Sequence, residues 1–162
     1  MSEVWVLNAS PIITLAKIAQ LPLLERLASE LLVPEAVASE IRAGPATDPA
    51  RLAIETGWGK RVPPGSIPTI LLAWGLGHGE TVVLAVALER QPCAAVLDDA
   101  GARTCARSLG VPLIGTLGIV VRAKERGLIP SAVEVVRALR VSGLHLDEDT
   151  IRVALRNVGE EW

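Results

Sequence analysis

Two adjacent aspartates, Asp98 and Asp99, directly follow a short apolar run of this sequence. Adjacent carboxylates repel each other unless a cation or an arginine side chain lies close by. Further oxygen-bearing side chains stand at comparable points, behind other apolar runs or within the helical patterns that follow them: Asn8, Ser10, Glu40, Glu80 and Thr116. A cluster of such oxygens without histidine or cysteine suits Mg²⁺ or Mn²⁺ better than zinc. The chemistry that it would support is metal-assisted hydrolysis of a phosphodiester.

Each of these residues also has a purely structural interpretation. Asn8 and Ser10 could cap a helix, as could either aspartate, and Glu80 could be an acid favoured by the dipole of its own helix. Arg103, one helical turn after Asp99, could balance the acidic cluster or bind a phosphate. The structural interpretations are weaker taken together, because the adjacent aspartates still need relief from their mutual repulsion.

Three glycines lie shortly before Glu80 of the candidate cluster. Gly75, Gly77 and Gly79 do not follow a predicted strand and do not form a nucleotide-binding pattern. We interpret them as residues that let the backbone turn tightly before Glu80. His78, which lies among them, either contacts substrate or is a solvated loop histidine.

An alternation of strands and helices must position these side chains. Short Val- and Leu-rich runs alternate with helical patterns, which is typical of a parallel sheet with both faces covered. We therefore predict an α/β fold, a three-layer α/β/α sandwich with a central parallel sheet, in a single domain spanning residues 1–162. Functional groups gather beyond the carboxyl ends of such strands. The acidic side chains and the Asn8 amide are thus expected to line one cleft.

The patterns also predict where the individual elements lie. The predicted strands cover 4–7, 31–33, 94–97 and 111–114, with a weak strand near 61–62. Helices are predicted from Ser10, over 22–27, from Pro34 to Gly44, from Asp48, and over 81–89, 101–109, 117–126, 131–141 and 147–158.

Composition restricts the class of partner. The chain has 162 residues, with 16 basic and 18 acidic side chains, so a polyanion must be bound by a local basic patch or through metal ions. It contains no Phe or Tyr, and only four Trp could serve as stacking platforms for single-stranded RNA. Cys93 and Cys105 form neither a disulfide framework nor a zinc motif, and we interpret them as core residues.

Hydropathy leads to three expectations about location and assembly. No apolar run approaches the roughly 18 to 20 residues of a membrane span, so no membrane association is expected. The first residues lack the pattern of a secretory signal, so a cytoplasmic location is expected. Half of the residues are apolar, which favours a homodimer that buries part of the apolar surface.

The motifs of this chain resemble those of the PIN domain, the fold of metal-dependent ribonucleases that include the VapC-type toxins. The similarity extends along the whole chain and is greatest to a compact prokaryotic branch that opens with Asn-x-Ser-Pro. The matching segments are Asn8-Ala9-Ser10-Pro11, Pro34-x-x-Val37-x-x-Glu40, Gly77-x-Gly79-Glu80, Asp98-Asp99-x-x-x-Arg103-x-x-Ala106, Gly115-Thr116-x-Gly118 and Ala123-Lys124-x-x-Gly127-Leu128-Ile129.

The resemblance assigns a family position to each acid. Asn8 stands where most PIN nucleases have their first aspartate, Glu40 matches the second acid and Glu80 the third. Asp99 aligns with the fourth acid, and Asp98 is the additional acid of this branch. A neutral Asn8 removes one negative charge and should weaken metal binding. Asp98 could restore that charge.

A function follows from the resemblance. It implies a Mg²⁺- or Mn²⁺-dependent endoribonuclease, the toxin of a toxin–antitoxin pair, with RNA and an antitoxin protein as partners. The metal would be held by Glu40, Glu80, Asp98 and Asp99. Catalysis would involve these acids together with Asn8. Ser10, Arg103 and Lys124 would contact the substrate, Ser10 by orienting it and the two cations by neutralising phosphate.

Two other functions remain open from the sequence. A non-catalytic PIN-like module could use the acidic groove to bind a protein or a nucleic acid, for example a partner's Arg or Lys side chain. The neutral Asn8 and the acidic balance of charges favour this alternative. A phosphoacceptor receiver domain would need its acidic pair after the first strand, where this chain has only Asn8.

Overall fold

The computed structural model describes residues 3–162 and contains one parallel sheet with helices. Its strands are β1 (Val4–Leu7), β2 (Glu30–Pro34), β3 (Lys60–Val62), β4 (Ala94–Val96) and β5 (Leu113–Ile114). Its helices are α1 (Ala9–Lys17), α2 (Leu21–Leu27), α3 (Glu35–Arg42), α4 (Pro49–Glu55), α5 (Thr69–Leu72), α6 (His78–Glu89), α7 (Ala100–Ser108), α8 (Thr116–Glu125), α9 (Ala132–Val141) and α10 (Glu148–Arg156).

The strand order creates a cleft beside the central strand. Hydrogen bonding joins the strands in the order β3-β2-β1-β4-β5, and every pair is parallel. The chain first proceeds from β1 outward to β3 and then returns to β4 on the other side of β1. This reversal places successive crossover helices on opposite faces of the sheet and opens a crevice at the carboxyl ends of β1 and β4. Asn8 follows β1 and Asp98 lies just beyond β4.

The sheet is buried between its helices, which confirms the three-layer α/β/α prediction. Trp5, Val6 and Leu7 of β1 are completely buried, as expected for a central strand covered on both faces. Cys93 and Cys105 are buried free thiols, which confirms their interpretation as core residues. Burial raises the pKa of the Cys93 thiol to about 11. Within residues 3–162, no helix combines the length and apolarity that crossing a membrane requires.

Every predicted element begins within three residues of its expected start, and two of the differences concern the site. Ser10 does not cap α1, because the helix begins at Ala9 and Asn8 is the residue at the cap position. The Asn8 side chain makes no capping hydrogen bond and reaches Glu80 instead. Helix α6 begins at His78, three residues before the predicted start, so Glu80 lies in its first turn as expected.

Candidate metal-binding and active site

Five of the predicted site residues, Asn8 and the four acids, approach the carboxyl edge of the sheet from several elements. Asn8 follows β1, Glu40 lies near the end of α3, and Glu80 lies in the first turn of α6. Asp98 and Asp99 connect β4 to α7. Because the strands are parallel, their carboxyl ends and the starts of the following helices meet at one edge of the sheet.

Asn8, Glu40 and Glu80 meet beside Gly79, and we call these four residues the Asn8 cluster. The Asn8 Nδ2 donates a hydrogen bond to Glu80 Oε1 at 3.3 Å. A methyl group built on Gly79 would lie 2.9 Å from Glu40 Oε2 and 3.1 Å from Asn8 Oδ1. Both oxygens therefore face the same point on the first turn of α6.

The amide oxygen of Asn8 is buried without a partner. Asn8 is 5% exposed, and its Oδ1 accepts no hydrogen bond from the residues that the structure describes. A buried acceptor that lacks a donor costs roughly 1 to 3 kcal/mol. An electropositive group, such as a cation or an ordered water, would remove this cost.

Two glycines provide the space for the carboxylates. A methyl group at Gly79 would collide with Glu40 and Asn8, and one at Gly77 would lie 2.5 Å from Glu80 Oε2. Gly77 has an ordinary negative φ of −59°, so the expectation of a special backbone turn does not apply to it. Gly75 does adopt a positive φ of 63°, the conformation that glycine accommodates best.

Asp98 has a structural partner in Thr116. Its Oδ1 accepts the backbone N–H of Thr116 at 2.8 Å, and its Oδ2 accepts the Thr116 hydroxyl at 2.6 Å. Thr116 is completely buried at the first position of α8. The Asp98 carboxylate therefore anchors the amino terminus of α8 to the end of β4.

Arg103 lies against the same anchor. Its Nη1 donates to the Leu97 carbonyl at 3.0 Å, and a methyl group at Gly115 would lie 2.6 Å from Nη1 and 3.3 Å from Asp98 Oδ1. Burial, reinforced by the neighbouring Arg107, lowers the pKa of Arg103 from its ordinary value, while Asp98 opposes the shift. The guanidinium stays charged at neutral pH, and it can balance the carboxylate of Asp98.

Asp99 and the two remaining predicted residues occupy different surroundings. Asp99 is exposed and caps α7, accepting the Ala102 N–H at 2.9 Å. Ser10 is half-buried in the first turn of α1. Lys124 donates to the Pro130 carbonyl at 2.7 Å and pairs with Glu160 at 3.4 Å. It lies about 12 Å along α8 from Thr116, so its prediction as a substrate contact rests on the resemblance alone.

The donors of the Asn8 cluster fit a hard divalent cation. All are oxygens, two belong to carboxylates, and one is a buried orphaned amide oxygen. Among residues 3–162, no three His, Cys, Asp or Glu side chains are grouped closely enough to hold a metal ion. The cluster reaches three protein donors only when the Asn8 amide is counted. The assignment of Asp98 and Asp99 as further ligands stays a prediction.

Sequence reasoning did not foresee the two features that shape this site. It named Thr116 as a polar residue behind a strand but did not identify it as the partner of Asp98. It also assigned Gly77 and Gly79 to backbone turning, whereas both make room for site side chains. It assigned no role to Gly115, which makes room for Arg103 and Asp98. A glycine inside the first turn of a helix, where it lowers stability, was the available signal at position 79.

The chain belongs to the PIN-domain family. The family model DUF3368, which describes a PIN domain, matches residues 4–160. PIN domains are generally nucleases that use divalent metals, so the family supports a nuclease-type function in general. No curated protein matches this sequence.

Proposed function

We propose that this protein is a Mg²⁺- or Mn²⁺-dependent endoribonuclease. The observation that carries the proposal is the orphaned Oδ1 of Asn8, buried beside Glu40 on the first turn of α6. This oxygen and two carboxylates form an acceptor-rich pocket that attracts a cation. The proposal agrees with the PIN-domain family and with the position of the cluster at the switch point of the sheet.

Each residue of the site has a separate role in this proposal. Asn8, Glu40 and Glu80 would hold the metal, which supplies activation of water and stabilisation of the leaving oxygen. Arg103, held by Leu97 and close to Asp98, would neutralise a phosphate of the substrate. Asp98 and Asp99 would hold α8 and α7 in place and contribute negative charge near the metal. Ser10 would orient water or substrate at the start of α1.

The biological setting is part of the same proposal. The resemblance to VapC-type toxins supports a toxin that is inhibited by an antitoxin protein, acts on RNA in the cytoplasm and forms a homodimer. An antitoxin that inserts an Arg or Lys side chain beside Glu40 and Glu80 would compete with the metal, since both are cations at the same carboxylates.

A non-catalytic binding module is the second candidate. The neutral amide of Asn8 favours it, because the site lacks the carboxylate that most PIN nucleases have at this position. The helix-anchoring roles of Asp98 and Asp99 also favour it, since both side chains accept hydrogen bonds at helix starts without a metal. A groove that binds only a partner's basic side chain does not need metal affinity.

The two candidates differ in metal binding and in RNA cleavage. We expect calorimetry to show Mn²⁺ binding to the native protein and none to Glu80→Gln. We expect the native protein to cleave single-stranded RNA with Mn²⁺, and Glu40→Gln and Glu80→Gln to reduce the rate by about a hundredfold or more. EDTA should stop the cleavage.

Glu134→Gln is the matched control. Glu134 is an exposed acid of α9 outside the site, and its ion pair with Arg137 is also exposed, so this variant should keep native metal binding and activity. Metal binding without cleavage of any RNA by the native protein would contradict the nuclease proposal. Mn²⁺ binding that survives Glu80→Gln would remove the Asn8 cluster as the metal site.

A further inference from the structure

We propose that the cleft between α3, α6 and the segment 62–67 binds one base of the RNA strand and thereby gives the nuclease a sequence preference. The inference rests on the proposed function, because it concerns the substrate of the same site. The cleft has a volume of about 380 Å³ and lies outside the Asn8 cluster. We call it the base cleft.

The walls of the base cleft are apolar and come from three elements. Val82, Ala85 and Val86 line it from α6, and Ala36 lines it from α3. The opposite wall is Val62, the last residue of β3, and the segment that follows it, with Pro63, Pro64 and Ile67. Two consecutive prolines limit the backbone conformations of this segment, since each proline ring fixes its own φ angle. A pocket with rigid apolar walls suits a flat ring that is apolar on its faces.

Three polar side chains on the rim of the base cleft have no side-chain partner within residues 3–162. His78, Glu89 and Arg90 line the cleft, and none of them takes part in a side-chain hydrogen bond or an ion pair of the described chain. Glu35 and Ser39 also reach the rim, where Arg42 pairs with Glu35 and donates a hydrogen bond to the Ser39 hydroxyl in exposed contacts. A ligand with a polar edge would therefore find both acceptors and donors that are free to bind it.

The base cleft adjoins the Asn8 cluster along two helices. His78 opens α6 and lines the cleft, while the next residue, Gly79, faces Glu40 and Asn8. Ser39 of α3 lines the cleft, and its neighbour Glu40 belongs to the cluster. A strand whose phosphate lies at the cluster could thus place an adjacent base in the cleft without leaving the protein surface.

The chemistry of the cleft favours a base over a phosphate. Its rim contains two carboxylates and one arginine, so it offers no excess of positive charge for a phosphate. Carboxylates accept hydrogen bonds from the exocyclic amino groups of adenine, cytosine and guanine, and uracil has no such group. We therefore expect the cleft to prefer a base that carries an amino group.

A double-mutant cycle between the RNA and the cleft tests this inference. The RNA is an oligonucleotide that the native protein cleaves, prepared with an abasic site at each position in turn. Binding is measured with Ca²⁺ in place of Mn²⁺, and gels verify that the strand stays intact. The protein variant is Val82→Phe, which fills the cleft from a half-buried position of α6. Val133→Phe, at a half-buried position of α9, controls for the added ring.

We expect one abasic position to weaken binding to the native protein and to Val133→Phe by about tenfold. The same abasic position should change binding to Val82→Phe by less than about twofold, because the filled cleft can no longer hold the base. If the abasic position lowers the RNA affinity of all three proteins equally, the inference is overturned. It is also overturned if no abasic position weakens binding to the native protein. In both cases RNA cleavage by the native protein would leave the nuclease proposal intact.

A second variant keeps the test valid if Val82→Phe does not fold. Ser66 is exposed at the mouth of the cleft, so Ser66→Cys introduces an accessible thiol without touching the core. The native Cys93 and Cys105 are buried, and burial raises the pKa of both thiols, so they react slowly. RNA should slow alkylation of Ser66→Cys severalfold, and the abasic RNA identified above should not. Equal protection by both RNAs, or none by either, would overturn the inference.

Discussion

At the scale of single residues, Asn8 places a neutral acceptor beside two carboxylates. Asn8→Asp adds a full charge at ligand distance, so we expect Mn²⁺ affinity to rise by about tenfold and RNA cleavage to rise with it. Without metal, the same change brings a third carboxylate next to Glu40 and Glu80 and should lower the melting temperature in EDTA. Calorimetry and thermal unfolding measure the two effects.

Asn157→Asp is the matched control for this change, since Asn157 lies at the end of α10 outside the cluster. It should leave Mn²⁺ affinity at the native value. If Asn8→Asp instead leaves cleavage unchanged or lowers it, the prediction is contradicted. Asp98 would then already supply the negative charge that is missing at position 8, and Asp98→Asn would be the damaging variant.

The pair formed by Asp98 and Thr116 makes a separate prediction about stability. Asp98→Ala leaves the Thr116 N–H and hydroxyl without their acceptor, so it should lower the free energy of unfolding by about 2 kcal/mol. Thr116→Val removes one of the two hydrogen bonds and should cost about 1 kcal/mol. The double variant should cost less than the two changes added, because they remove one shared interaction. Urea unfolding measures all three.

Calorimetry of Mn²⁺ binding to Asp98→Ala tests whether Asp98 is also a metal ligand. If Asp98→Ala kept native stability while Mn²⁺ binding was lost, Asp98 would be a metal ligand and the anchoring role would be contradicted.

At the scale of elements, Glu160 joins the end of the chain to the start of α9. Its carboxylate accepts the backbone N–H groups of Ala132 at 2.8 Å and Val133 at 3.0 Å, and it pairs with Lys124. Burial alone would raise the pKa of Glu160, but these hydrogen bonds and Lys124 lower it below its ordinary value. Carboxylate charge at a helix amino terminus is stabilising, so this contact fixes α9 against α8.

A carboxyl group whose pKa is lower in the folded state stabilises the protein above its unfolded pKa, and that stabilisation is lost as the pH falls through the folded pKa. Glu160→Gln should therefore lower the free energy of unfolding by about 1 kcal/mol at pH 7. The difference from the native protein should shrink as the pH falls below 4.5, the ordinary value for Glu. Urea unfolding at a series of pH values measures it. Glu161→Gln is the exposed neighbouring control, and a difference that persists at low pH would contradict the prediction.

At the scale of the whole molecule, three of the six large apolar side chains that are exposed within residues 3–162 lie in the segment 70–74. Most apolar residues are buried in one core, but Ile70 and Leu72 of α5 are 56% and 61% exposed, and Trp74 is 37% exposed. The segment 70–74 ends three residues before Gly77 at the start of α6. Exposed apolar clusters of this kind are typical of interfaces.

The homodimer prediction can be tested on this segment. Light scattering at roughly tens of micromolar protein, where weak dimers become populated, should give the mass of a dimer. Leu72→Asp should shift the mass toward that of a monomer, because it places a charge in the apolar segment. Val141→Asp is the control, since Val141 is 90% exposed on α9. A monomeric native protein would contradict the prediction.

The local pattern of the sequence was sufficient to predict the architecture. Strand β1 was predicted at its observed bounds, and the weak signal near Arg61 proved to be β3. These features depend on residues close together in the chain: apolar runs, proline and glycine positions, and capping aspartates such as Asp48 and Asp147. The PIN-domain family was inferred from the resemblance of motifs such as Asn8-Ala9-Ser10-Pro11 and Gly77-x-Gly79-Glu80, and the family model confirms it.

Only the tertiary structure decided which side chains meet. Asn8 and Glu80 are 72 residues apart in sequence, and Asp98 and Thr116 are 18 residues apart. Their contacts depend on strand order and helix packing, which periodicity does not encode. The pairing of Asp98 with Thr116 and of Lys124 with Glu160 could therefore not be inferred from residue type. The sequence determined that acids and an amide stand at the carboxyl ends of strands. The packing of α6 against β1 and of α3 against α6 decided that Glu40, Glu80 and Asn8 converge there.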